Sequence, residues 1–119
     1  APMQAYTNRH LRTLCRLLSK EAVLWTEMEK ACDLLASTSA ADRRLRHDDR
    51  AVLQLGGSDI PSLQQACKLA NAYDYDEINL NCGCPSIETG GADFGARLML
   101  DPLGTAQVLS AMADVSKAP

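Results

Sequence analysis

Aromatic side chains are scarce: Phe, Trp and Tyr together make up 4% of the 119 residues. So few flat rings poorly supply a stacking platform for single-stranded nucleic acid. An excess of positive charge is also missing, because the formal net charge is -3. That argues against a stand-alone nucleic-acid binder, whose footprint is strongly basic, but leaves nucleic acid open as the substrate of a larger protein. No stretch approaches the ~20 apolar residues that span a bilayer, so no membrane partner is expected. No charged n-region followed by an apolar h-region opens the chain, so nothing marks it for secretion. The expected setting is the cytoplasm, with an organellar matrix as the alternative.

The five cysteines (Cys15, Cys32, Cys67, Cys82 and Cys84) are odd in number and irregular in spacing. Without a secretion signal, a disulfide framework is not expected. Cys82 and Cys84 stand one residue closer than the usual zinc pair. No second Cys pair or close His pair completes a tetrahedral set, so no metal is expected. Cys15 and Cys67 fall on apolar helical faces and read as small buried hydrophobes.

What is present is an alternation of two periodicities. Residues 8–20 carry Leu11, Leu14, Cys15 and Leu18 at helical spacing. Residues 22–25 form a short continuous apolar run that continues into Thr26-Glu27-Met28, and residues 51–55 form a second, closed by Gly56-Gly57. Continuous runs of this length read as strands buried on both faces. Ser58 and Asp59 offer N-cap oxygens, Pro61 suits a first helical turn, and Leu63, Ala66, Cys67 and Ala70 form the inner stripe of the helix that follows. Residues 77–81 are a further strand. Asp101-Pro102 opens a last helix with the stripe Val108, Leu109, Met112 and Val115. Residues 31–36 suit a short helix, while residues 42–50 mix four arginines with three aspartates and read as a solvated surface. Alternation of this kind implies a parallel sheet with helical crossovers, in one domain or part of one. Ala1-Pro2-Met3 could end one more strand. Trp25, Leu53, Leu55, Ile78 and Leu80 are expected to be largely buried.

In parallel α/β folds, ligands bind at the carboxyl ends of the strands. Those ends deliver Pro2-Met3, Thr26-Glu27-Met28, Gln54 with Gly56-Gly57, and Asn79, Asn81, Gly83 and Cys84. Amides inside apolar strands are the unusual feature, because a buried Asn or Gln is expensive without partners. One use is tying down loop backbone. The other is reading a planar heterocycle with amide-like donors and acceptors, as flavins and uracil both are. Cys84 follows a strand on a Gly-Cys-Pro turn, where a thiol can be nucleophile, acid or ligand. Spacing alone leaves a structural cysteine as plausible as a functional one.

Several of these segments together resemble one family. They are Ala1-Pro2-Met3, Tyr6-Thr7-Asn8-Arg9-His10, Thr26-Glu27-Met28, Leu53-Gln54-Leu55-Gly56-Gly57-Ser58-Asp59, Ile78-Asn79-Leu80-Asn81-Cys82-Gly83-Cys84-Pro85-Ser86 and Phe94-Gly95-Ala96. They are similar to the N-terminal half of the tRNA-dihydrouridine synthases. The resemblance implies an α/β fold: a partial (β/α)8 TIM barrel with about the first four β/α units, residues 1–119 being the N-terminal portion of an FMN-binding barrel. It implies FMN as cofactor with NAD(P)H as reductant, and tRNA as partner. It implies Cys84 as general acid, Pro2, Met3 and Gln54 against the flavin, and Asn81 on the target uracil. A full barrel takes ~250 residues. The 119 residues alone are therefore expected to be inactive, with a protein partner or a second copy covering the open barrel edge. The alternative is a catalytically inactive half-barrel serving as a structural subunit. Four residues depart from the family pattern: Glu29, Glu88, Ala92 and Arg97. A carboxylate at Glu88, in a loop that faces a polyanion, opposes RNA binding.

Overall fold

The computed structural model describes residues 2–47, 50–83 and 94–119, so Cys84, Glu88 and Ala92 lie outside the described residues. The first helix, α1 (Arg9–Leu18), starts where Asn8 Oδ1 accepts the backbone N–H groups of His10 and Leu11. These are two of the donors that a helix start leaves without partners. Three strands follow: β1 (Trp25–Lys30), β2 (Val52–Gly56) and β3 (Glu77–Leu80), all parallel and in the order β1-β2-β3.

Helices α2 (Ala31–Leu35) and α3 (Thr38–Leu45) connect β1 to β2. The next crossover, α4 (Ile60–Ala70), is capped by Asp59 accepting from the Ser62 amide, with proline at the start. A 3-10 helix (Gly95–Leu100) precedes α5 (Pro102–Ala113), which is capped by Asp101 accepting from the Gly104 amide.

The core lies on one face of the sheet. Leu53, Leu55 and Leu80 pack there against Leu34, Leu45, Leu63, Ala66, Cys67 and Ala70 of the helices, with Val108 and Met112 of α5. Period-2 alternation sends the neighbouring residues Val52, Gln54, Gly56 and Asn79 to the opposite face, here called the inner face.

The structure corrects several expectations. Three strands are present among the described residues; Pro2 and Met3 pair with none of them and lead into a turn over residues 4–6. The backbone there finds its partners locally: the amides of Tyr6 and Thr7 donate to Met3 O at 3.0 and 2.9 Å. β1 starts at Trp25 rather than at residue 22, and it runs on through charged Glu29 and Lys30. Leu53, Leu55 and Leu80 are buried, and Trp25 and Ile78 are partly buried, Ile78 packing against the core. Ile78 sits on the outermost strand, where its amide is met by Pro119 O at 2.8 Å.

Cys15 is half-exposed, since α1 buries none of its residues and leaves Leu14, Leu17 and Leu18 in solvent. Leu109 of α5 is exposed as well. Within the mixed-charge stretch, residues 42–45 belong to α3, whose Ala41 and Leu45 are buried.

Candidate active site on the inner face of the sheet

The inner face is organised by an irregularity in β1. Trp25 stands opposite Val52 but Met28 stands opposite Gln54, so β1 carries one extra residue between them. Such a bulge leaves ladder groups without their regular partners. Thr26 repairs it: its Oγ1 accepts the Gln54 amide at 3.1 Å. The Thr26 carbonyl is met instead by the Thr7 hydroxyl at 3.3 Å.

That hydroxyl also accepts the Met3 amide at 3.0 Å. One step on, Glu27 Oε1 accepts the Ala5 amide at 2.5 Å. Ala5 has φ 64, the left-handed region that favours glycine, so the carboxylate holds a turn the chain would otherwise resist. A continuous relay thus runs from Met3 through Thr7 and Thr26 to Gln54. It ties the loop after Pro2-Met3 to β1, the strand next to the one that carries Gln54. Pro2 is half-buried and Met3 is 53% exposed, so both offer surface.

Across the sheet, Met28, Gln54 and Asn79 stand level in register. Gln54 Nε2 donates to Asn79 Oδ1 at 3.1 Å. Asn81 continues the ladder, its amide donating to Leu55 O at 2.8 Å. Its side-chain oxygen accepts the Gly83 amide at 2.8 Å, which fixes which way the amide points. Its Nδ2 then lies 2.8 Å from Met28 Sδ, on the far side of β2.

Gly56 makes that reach feasible. A Cβ at Gly56 would stand 2.8 Å from Met28 Sδ and 2.9 Å from Phe94 Cε2. The bare backbone is thus covered by Met28 and by Phe94, which is itself buried. Gly83 and Phe94 are the described residues that flank the Cys84 segment. One is tied to Asn81 and the other rests on Gly56.

The two described cysteines near the core behave differently from a reactive thiol. Cys67 is buried, and desolvation pushes its thiol up to about 11. Cys82 packs against the helix-side core, and burial raises its pKa too. Alternation therefore places Cys82 on the face opposite Asn81, as the strand pattern predicts. Among the described residues no group of three or more His, Cys, Asp or Glu could hold a metal ion. No helix among them is long and apolar enough to cross a membrane.

Sequence reasoning named Gln54, Asn79 and Asn81 and found the face they share. It missed the roles of Thr7, Thr26 and Glu27 as the tie between the first loop and β1, although all three lie in segments it singled out. It also missed Phe94 as the cover over Gly56.

Residues 1–119 match the dihydrouridine synthase family over their whole length. The chain belongs to that family. The tRNA-dihydrouridine(20/20a) synthase of Xanthomonas campestris pv. campestris is 44% identical over 124 aligned positions, which take in all of this chain and 36% of the relative. The enzyme of the same name from Pseudomonas syringae pv. tomato is 43% identical over 122 positions, and that of Escherichia coli K12 is 42% identical over 119. The chain covers 36% and 34% of those two relatives. It thus spans about a third of the length of the curated relatives it matches. Dihydrouridine synthases are flavin-dependent in general.

Proposed function

We propose that this chain is the N-terminal portion of an FMN-dependent tRNA-dihydrouridine synthase. The observation that carries the reading is the set of oriented amides, Gln54, Asn79 and Asn81, on the open face of a parallel sheet in a chain matched end to end by that family. The donor set suits a flavin ring: amides in register offer both an acceptor and donors to the ring's amide-like edge. Gly56, lacking a side chain, lets Met28 and Phe94 pack close over the strand beside these amides. The described residues offer no comparable reading for the cofactor's phosphate, so the fit concerns the ring.

When bound, FMN would supply a hydride drawn from NAD(P)H. The chain's own residues do the rest. Gln54 would hold the ring edge, and Pro2 with Met3 would lie against the ring. Asn81 has its oxygen engaged by Gly83, so it would present its Nδ2 donor to a carbonyl of the target uracil. Cys84, which directly follows Gly83 in sequence, would give its proton to uracil C5 as hydride reaches C6, saturating the C5–C6 bond. The thiolate then recovers a proton from solvent. The uridine must leave its stack to reach the face. The names of the relatives point to tRNA positions 20 and 20a as targets.

A second reading is a structural subunit without activity. It is favoured by the apolar residues Leu14, Leu17 and Leu18, which α1 leaves exposed and which suit a protein partner or a second copy.

One experiment separates the two. The complete protein is incubated with NADPH and an unmodified tRNA transcript, and dihydrouridine is measured by mass spectrometry. Dihydrouridine at positions 20 and 20a, together with a flavin absorbance spectrum, supports the enzyme. A colourless protein that leaves the transcript unchanged refutes it.

A further inference from the structure

We propose that Asn79 is a positioning residue that locks the Gln54 amide, so that Gln54 presents its carbonyl oxygen, and not its NH2 group, to the ring on the inner face. The identity of the ring rests on the flavin reading above. The lock rests on geometry. An unrestrained glutamine can show either edge, because a half-turn of its amide exchanges a donor for an acceptor. Here both ends of Gln54 are held. Its backbone amide is bound by Thr26 Oγ1 at 3.1 Å, and its Nε2 by Asn79 Oδ1 at 3.1 Å.

Gln54 and Asn79 are register partners on adjacent parallel strands, so the contact needs no reach along the sheet. Oxygen and nitrogen lie on opposite sides of an amide carbon. With nitrogen turned to Asn79, Oε1 faces away from β3 and is left to accept. An oxidised isoalloxazine has one N–H, at N3 between two carbonyls. A carbonyl oxygen held in place therefore selects that edge. The reverse pairing, with Asn79 donating to Gln54, would offer NH2 and favour a ring carbonyl.

The two polarities are separable, because a carboxylate in place of Asn79 can accept but not donate. The test uses the full chain, isotopically labelled, and compares wild type with Asn79→Asp and Asn79→Leu. Exchange of the Gln54 side-chain NH2 protons is read by NMR. Titrations then compare FMN with FMN methylated at N3. The expected result is slow NH2 exchange in wild type and Asn79→Asp, and exchange at least ~10-fold faster in Asn79→Leu. FMN should bind up to ~10-fold more tightly than its N3-methyl analogue to the first two proteins, with that ratio falling towards one in Asn79→Leu.

Asn79→Asp behaving like Asn79→Leu would overturn the polarity. An unchanged ratio in Asn79→Leu would overturn the positioning role, as would a wild-type ratio of one. If exchange follows the expected order but neither flavin binds any variant, the lock stands, and the flavin reading falls together with the ligand assigned here.

Discussion

The two faces of the sheet are built from alternate residues of the same strands, yet they are finished in different ways. On the helix side, Leu53, Leu55 and Leu80 are closed off by α2, α3, α4 and α5, and stability comes from removing apolar area from water. On the inner side, Gln54, Asn79 and Asn81 stay half-buried, and their order comes from hydrogen bonds to one another, to Thr26 and to Gly83. A packed apolar face tolerates no vacancy, whereas a hydrogen-bonded face holds groups in a set direction while leaving room above them. Alternation along a strand is therefore enough to divide the work. On β2, Gln54 alone stays partly exposed, between the buried Leu53 and Leu55 that hold the fold.

Substitutions on the two faces should accordingly fail in different assays. The largest effect is expected at Cys84, the proposed acid. In the complete enzyme, Cys84→Ala should slow dihydrouridine formation by ~10²–10⁴-fold, the usual worth of general acid catalysis. Flavin content and the unfolding midpoint should stay at wild-type values. Full activity in Cys84→Ala would move the acid elsewhere. Cys82 would be a poor replacement, since it packs against the helix-side core with its pKa raised by burial.

Next in size is a loss on the helix side. Leu55 is fully buried, so Leu55→Ala should cost ~2–5 kcal/mol of stability by removing packed atoms and leaving a cavity. Gln54→Ala, one residue away, should cost much less. Equal denaturation midpoints for the two variants would erase the distinction between the faces. Smaller again is Gly56→Ala. Its added methyl would press on Met28 and Phe94, the first of which can swing aside, so a destabilisation of ~1–3 kcal/mol is expected. Because Met28 also meets Asn81, this variant should weaken substrate binding more than its stability loss explains. KM measured at a temperature where both proteins are folded checks that.

How far the sequence reveals these faces depends on whether the signal is local. β2, β3, α4 and α5 were legible because a continuous apolar run, a capping Asp59 or Asp101 and a following proline each act within a few residues. The start of β1 was not, because the bulge is repaired by the Thr26 side chain binding a strand that lies 28 positions away. The turn that follows Pro2-Met3 was not foreseen for a similar reason: the amides of Met3 and Ala5 are satisfied by side chains, Thr7 and Glu27, that periodicity does not register. The amides at Gln54, Asn79 and Asn81 were visible as anomalies in apolar strands. That Gln54 pairs with Asn79 requires the register of β2 on β3, which no single segment encodes.

The smallest predicted effect concerns the charged pair within the helix side. Glu29 is opposite Leu55 in register and is buried, and its Oε2 accepts from Arg44 of α3 at 3.1 Å. Burial raises the Glu29 pKa above its ordinary 4.5 more than the attraction of Arg44 lowers it. Between the two values the folded protein keeps a proton that the unfolded chain has lost. This group's contribution to stability is therefore greatest below pH 4.5 and declines as pH rises through the folded pKa. Glu29→Gln removes that titration and keeps a polar partner for Arg44, which is itself half-exposed. The variant should be the more stable protein at pH 7, by ~1 kcal/mol or less, because burying an ion pair often returns little. The gain should vanish as pH falls towards 4. Urea unfolding across that range reads the difference directly. A variant less stable than wild type at pH 7 would mean that the Arg44 attraction outweighs burial, and that the helix side owes part of its stability to charge.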